Sequence, residues 1–132
     1  MIFIDTGPLL ARHLARDKYF QWARAHLETL ERERDRLFTS NFVLDEFFTL
    51  LGRKTTYAFA AERARSIYGS ERLEILRPVH EDELRAVSLF AKYADQGVSF
   101  TDCISFALMR RARLRKVLTL DSHFILAGFE KI

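Results

Sequence analysis

A single cysteine, Cys103, stands among the 132 residues of this chain, which rules out an internal disulfide framework and fits a reducing cytoplasm. Cys103 reads most simply as a small buried hydrophobe. With one cysteine and with His13, His26, His80 and His123 scattered, no spacing of zinc ligands is present, and each histidine reads as a surface or packing residue. Two prolines and five glycines leave no Pro- or Gly-rich linker and no glycine-rich loop of the kind that cradles phosphate. There is no Ser-His-Asp elbow and no internal repeat. No apolar run is long enough to span a bilayer, and the N-terminus lacks the basic leader and apolar stretch of a signal peptide, so a soluble cytoplasmic protein without a membrane is expected.

What is present is a core and an excess of base. A hydrophobic fraction of 48% with twelve phenylalanines supports a folded globule, and 30% charged residues keep its surface wet. The length suits one domain spanning 1–132. The net charge is +3 and the positive side is mostly arginine, whose guanidinium fork matches phosphate geometry, so a nucleic-acid partner is weakly indicated beside the plainer reading of a solvated face.

Short apolar runs alternate with helical periodicity along the chain. Ile2-Phe3-Ile4 reads as a buried strand, and Pro8 suits the first turn of a helix carrying Leu9, Leu10 and Leu14. Lys18 to Arg34 reads as a helix with Phe20, Ala23, Leu27 and Leu30 on one face. Leu37 to Ser40 is a second strand, and a helix begins near Phe42 and loosens at Gly52 through Lys54. Thr56 starts a further helix through Ile67. Leu73 to Leu76 is a third strand, stopped by Pro78. His80 to Tyr93 reads as a helix with Leu84, Val87, Phe90 and Ala91 inward. A helix opens at Ser99, Val117 to Leu120 is another buried strand, Phe124 to Ala127 a single helical turn, and Phe129 to Ile132 a short edge strand. This alternation predicts an α/β fold, a three-layer α/β/α sandwich around a short, mostly parallel sheet.

Certain acids occupy odd places in that frame. Asp102 shares a helix face with Phe106 and Met109, so it points toward the protein, although Ser99 and Asp102 together also fit a capping box. Asp5 follows a buried strand and precedes a helix, which is where ligands bind in open α/β sheets, but an acid there can also be a simple helix cap. In the third helix Val43, Leu44, Phe47, Leu50 and Leu51 cluster on one side. Glu46 sits on the boundary beside Leu50, snorkelling to water or reaching a cleft, while Asp45 faces away. Asp121 again ends a strand. A parallel sheet would gather Asp5 and Asp121 at its carboxyl edge, with Glu46 and Asp102 approaching from helix starts. Converging carboxylates raise one another's pKa and call for a cation, and an all-oxygen set favours a hard ion such as Mg²⁺ or Mn²⁺. Such a centre activates water and stabilises the leaving oxygen in phosphodiester hydrolysis.

The order Ile4-Asp5-Thr6 after a strand, Ser40-Asn41 leading to Glu46, Ser99-Phe100-Thr101-Asp102 opening a helix, and Thr119-Leu120-Asp121 after the last buried strand resembles the PIN-domain nucleases over essentially the whole chain. Within them it is most similar to the single-domain VapC-type toxin ribonucleases of toxin-antitoxin pairs. The resemblance implies a Mg²⁺- or Mn²⁺-dependent endoribonuclease whose catalytic and metal-holding carboxylates are Asp5, Glu46, Asp102 and Asp121. Thr6, Ser99, Thr101 and Thr119 match polar positions that support the acids or bind phosphate. It further implies an RNA substrate, a homodimer, and a small antitoxin whose tail enters the acidic cleft. The basic run from Arg110 to Lys116 is a candidate RNA contact, through Arg110 and Arg111, or equally a solvated helix end. Other readings are a stand-alone PIN-domain RNA-processing nuclease and a catalytically silent PIN domain that binds RNA or protein. A haloacid-dehalogenase-like phosphotransferase also starts with a strand ending in Asp, but it requires a second acid where Gly7 stands.

Overall fold

A computed structural model describes residues 1–132. Its strands are β1 (Ile2–Ile4), β2 (Leu37–Ser40), β3 (Leu73–Leu76), β4 (Lys116–Leu118) and β5 (Glu130–Lys131). The helices are α1 (Thr6–Arg12), α2 (Phe20–Arg32), α3 (Asn41–Lys54), α4 (Tyr57–Tyr68), α5 (His80–Lys92), α6 (Phe100–Arg111) and α7 (His123–Leu126). All strands pair in parallel in the order β3-β2-β1-β4-β5. Helices α1 to α4 pack with one another, whereas α5, α6 and α7 form a second group, giving the expected α/β/α sandwich.

The order of strands decides where a ligand can sit. The chain winds outward through β1, β2 and β3 and then crosses to β4 on the other side of β1. The switch point therefore falls between β1 and β4, and the crevice at their carboxyl ends is where open α/β sheets bind ligands. The register Ile2↔Lys116, Phe3↔Val117 and Ile4↔Leu118 brings the residues after Ile4 and Leu118 out at the same edge.

Packing fixes the loop after β4. Phe124 is fully buried and meets Phe106 edge-on at a centroid distance of 5.0 Å, with Phe3 and Phe129 also against it. A buried aromatic anchor in a helix of four residues holds that turn in one orientation, and Asp121 and His123 with it. Helix α6 is buried continuously from Asp102 to Met109, so it is a core helix whose first turn carries an acid.

Some expected details differ. Helix α3 does not loosen at Gly52 but continues to Lys54, and the Tyr57 ring occupies the space that a side chain at buried Gly52 would take. Strand β4 closes at Leu118, earlier than Leu120, and from there the Thr119 hydroxyl bonds the Asp5 carboxylate and the Asp121 backbone N–H. The larger difference is α5, whose expected inward face is outside: Leu84, Val87 and Phe90 are about half exposed, and Ala91 is exposed. Its buried side is Asp82, Ala86 and Leu89, small enough at Ala86 for close approach to α6.

Asp82 is fully buried and accepts from the Val79 N–H at 2.9 Å and from Arg111 Nε at 3.1 Å. Truncating it strands a half-exposed guanidinium and uncaps α5. Asp82→Ala is therefore expected to lower stability by about 2–3 kcal/mol in urea unfolding, with an unchanged m-value.

Candidate active site

An open cleft of about 590 Å³ lies at the carboxyl ends of β1 and β4, and Asp5, Glu46, Asp102 and Asp121 all line it. Each is delivered by a different element. Asp5 ends β1 and stands at the N-cap of α1, where its carboxylate takes a hydrogen bond from the Thr6 backbone but makes no capping hydrogen bond further into the helix. Asp102 enters from the first turn of α6. Ser99 caps that helix by accepting from the Asp102 N–H at 3.1 Å, with no return bond from the Asp102 carboxylate, so the pair is half of a capping box and the acid is left to the cleft. Glu46 reaches in from α3 at an exposed position, receiving the Thr6 hydroxyl at 3.2 Å. Asp45, one residue earlier, is exposed and absent from the lining.

The polar neighbours divide by role. The Thr119 hydroxyl, fully buried, donates to Asp5 Oδ2 at 2.7 Å and accepts from the Asp121 N–H at 2.9 Å, tying the ends of β1 and β4 together. Thr6 serves Glu46 and Ser99 caps α6, whereas the Thr101 hydroxyl makes no hydrogen bond with a cleft acid. Asp121 Oδ1 accepts from the His123 N–H at 2.8 Å.

Arg110 and Arg111 lie at the far end of α6, about 12 Å along its axis from Asp102. Arg110 donates to the Ala127 carbonyl and its guanidinium sits over Phe129, while Arg111 binds Asp82 and the Arg77 carbonyl. Neither lines the cleft. A residue not singled out in the sequence does: His123, whose Nδ1 stands 3.2 Å from Asp121 Oδ1 and 3.5 Å from Asp102 Oδ2. The signal for it is the core residue Phe124, which fixes the turn and so the side on which position 123 emerges.

No lysine or arginine lines the cleft, and the one basic side chain against its four carboxylates is the His123 imidazole. Burial pushes the Asp5 carboxyl up to about 6, with Glu46 and Asp121 adding to the rise while hydrogen bonds from Thr119 and Thr6 oppose it. Burial, then the charges of Asp5 and Asp121, push Asp102 up to about 7. Both effects express negative charge held away from water and only partly offset by the hydrogen bonds from Thr119 and Thr6 to Asp5 and from His123 to Asp102, and a divalent cation on these oxygens would remove the remainder. The donor set thus fits a hard cation such as Mg²⁺ or Mn²⁺.

The sign of the pH dependence follows. Both folded-state values lie above the usual 3.8, so the protonated carboxyls favour the fold fully below about pH 4, and that contribution is lost as pH rises through about 6 and then about 7. Metal-free protein and its Asp102→Asn variant are expected to melt together near pH 4 and to diverge by pH 8, the variant several degrees higher. Coincident melting curves at pH 8 contradict this.

A parallel α/β sheet with carboxylates converging at its switch point defines a candidate metal-dependent hydrolase centre. The PIN domain family model matches residues 2–130, and the chain belongs to that family. It is similar to the 23S rRNA-specific endonuclease VapC20 of Mycobacterium tuberculosis, 30% identical over 132 residues that cover 100% of this chain and 98% of that protein. A VapC ribonuclease of Archaeoglobus fulgidus is 31% identical over 125 residues, 93% of this chain and 78% of that protein. The crystal structure of Mycobacterium tuberculosis VapC20, described as a Sarcin-Ricin loop cleaving toxin, superposes with a TM-score of 0.87 at 28% identity, covering 100% of this chain and 98% of that one. The DNA-bound VapBC of Salmonella typhimurium shares the fold, with a TM-score of 0.70 at 15% identity over 99% of this chain and 96% of that one. No helix is long and apolar enough to cross a membrane.

Proposed function

We propose that this chain is a divalent-metal-dependent endoribonuclease and the toxin of a type II toxin-antitoxin pair. The observation that carries the proposal is the cleft itself: Asp5, Glu46, Asp102 and Asp121 converge with no lysine or arginine among them. Asp5 and Asp102, the buried pair, would hold Mg²⁺ or Mn²⁺ together with Asp121, and Glu46 at the rim would share the ion or its water shell. When bound, the cation lowers the pKa of a water and takes up charge on the phosphate. The protein's own part is positional. Thr119 fixes the Asp5 carboxylate, Thr6 aims Glu46 across the cleft, and the open mouth admits an RNA strand. Similarity to a 23S rRNA-specific endonuclease makes 23S rRNA the first substrate to test.

A small antitoxin is the expected partner, its tail entering the same acidic cleft. The homodimer implied by the resemblance has a candidate surface in the exposed apolar face of Leu84, Val87 and Phe90 on α5.

The test is cleavage of end-labelled total RNA and of intact ribosomes by wild type and Asp5→Asn, each with Mg²⁺, with Mn²⁺ and with a chelator. Discrete fragments confined to metal-loaded wild type are expected. Equal cleavage by the chelated protein, or by Asp5→Asn, overturns the reading.

A further inference from the structure

We propose that His123 supplies a nitrogen ligand to the cation held by Asp102 and Asp121, so that the centre is a mixed imidazole-carboxylate site that favours Mn²⁺ over Mg²⁺. The inference rests on the metal-dependent reading above and specifies which ion that site takes.

Three observations converge on it. The ligand atoms of Asp102, Asp121 and His123 all lie within 4.8 Å of one another. The Nδ1 contacts with Asp121 Oδ1 at 3.2 Å and with Asp102 Oδ2 at 3.5 Å are the spacings of neighbouring ligands on one ion, since donors about 2.1 Å from a shared cation at right angles stand about 3 Å apart. His123 Nδ1 is also shielded from solvent on a part-exposed ring, and its two carboxylate neighbours do not meet it in good hydrogen-bond geometry. A buried polar atom left unpaired is uncommon and marks a missing partner. The other buried-side histidines differ: His13 and His26 place Nδ1 on the carbonyls of Leu9 and Trp22, four residues back in their own helices. His123 has no such carbonyl.

The turn that carries the ring is also held in place. Asp121 Oδ1 accepts from the His123 backbone N–H, and fully buried Phe124 follows it, so the turn from which the imidazole emerges is fixed beside Asp121. Imidazole nitrogen suits Mn²⁺ and later metals better than Mg²⁺, which prefers oxygen and keeps its waters. Replacing one oxygen donor by this nitrogen therefore raises affinity for Mn²⁺ and leaves Mg²⁺ little changed.

The experiment is pulsed electron paramagnetic resonance of untagged, Mn²⁺-loaded protein, with calorimetric titration of Mn²⁺ and of Mg²⁺ into wild type, His123→Gln, His123→Phe and Asp5→Asn. Nitrogen-14 modulation of the Mn²⁺ echo is expected in wild type and absent in both His123 variants. Those variants are expected to lose about tenfold or more in Mn²⁺ affinity and less than threefold in Mg²⁺ affinity. His123→Phe keeps the ring's packing, so its loss belongs to the nitrogen. Mn²⁺ binding by wild type without nitrogen modulation, weakened by Asp5→Asn, overturns the role of His123 and leaves the carboxylate centre standing. Equal weakening of both ions in the His123 variants also overturns it. No Mn²⁺ binding by wild type overturns both this inference and the reading on which it rests.

Discussion

Asp102→Asn is expected to lower RNA cleavage on the order of 10³-fold while leaving the fold intact and raising the stability of the metal-free protein at neutral pH. The two directions come from one cause. Asp102 is 8% exposed at the start of a core helix, beside the charges of Asp5 and Asp121, and its carboxylate is the least favourably placed of the set when no cation is present. Asn keeps the shape and relieves the repulsion, but it removes half of the charge that the two most buried acids offer an ion. Its backbone N–H still reaches Ser99, so the start of α6 is preserved. Initial rates on a cleaved RNA, measured beside a thermal melt without metal, check both parts. An Asp102→Asn protein that cleaves at the wild-type rate contradicts the assignment. One that is less stable than wild type at pH 8 contradicts the electrostatic account of the cleft.

Glu46→Gln is expected to cost about 10²-fold in cleavage, and Asp45→Asn less than twofold. The residues are adjacent, both exposed and both acidic, so composition and net charge cannot separate them. Geometry does. Successive residues on a helix point about 100° apart, and only Glu46 turns toward Asp5, where the Thr6 hydroxyl meets its Oε2 at 3.2 Å. The pair therefore serves as an internal control, because a loss caused merely by removing negative charge from α3 affects both variants alike. Rates on one RNA at saturating Mn²⁺ make the comparison, and equal losses contradict the geometry.

Strands β1, β2 and β4 were legible in the sequence because each is centred on a short buried apolar run, whereas β5 is the exposed pair Glu130–Lys131 and was reached only through its apolar flanks Phe129 and Ile132. The convergence at the sheet edge follows from parallel pairing, in which every strand ends on the same side. Glu46 was legible from the helical wheel, since its neighbours Phe47, Leu50 and Leu51 mark the inward side. The face of α5 was not. Its apolar residues lie on two sides of the helix, and the larger set, Leu84, Val87 and Phe90, stays at the surface while Ala86 and Leu89 pack on α6. Periodicity registers apolar bulk but not which side the neighbouring helix can approach, and approach favours the small residue. Asp82 was missed for a related reason, since an acid in a first helical turn is usually solvated and the arginine that balances this one is 29 residues away. His123 was read as a surface or packing residue because it sits between β4 and β5 in a single turn of helix, where no periodicity exists to orient it. What orients it is the burial of Phe124 against Phe3, Phe106 and Phe129, a tertiary fact.

The central claim is that this cleft hydrolyses RNA with a water molecule and a divalent cation held by its carboxylates. Analysis of the ends of the cleaved RNA tests it most directly. Water attacking phosphorus leaves a phosphate monoester on one fragment and a free hydroxyl on the other, with no part for the neighbouring 2′-hydroxyl. The account predicts fragments free of 2′,3′-cyclic phosphate, formed only with Mg²⁺ or Mn²⁺ present. Fragments ending in 2′,3′-cyclic phosphate, formed equally well in the presence of a chelator, would contradict it.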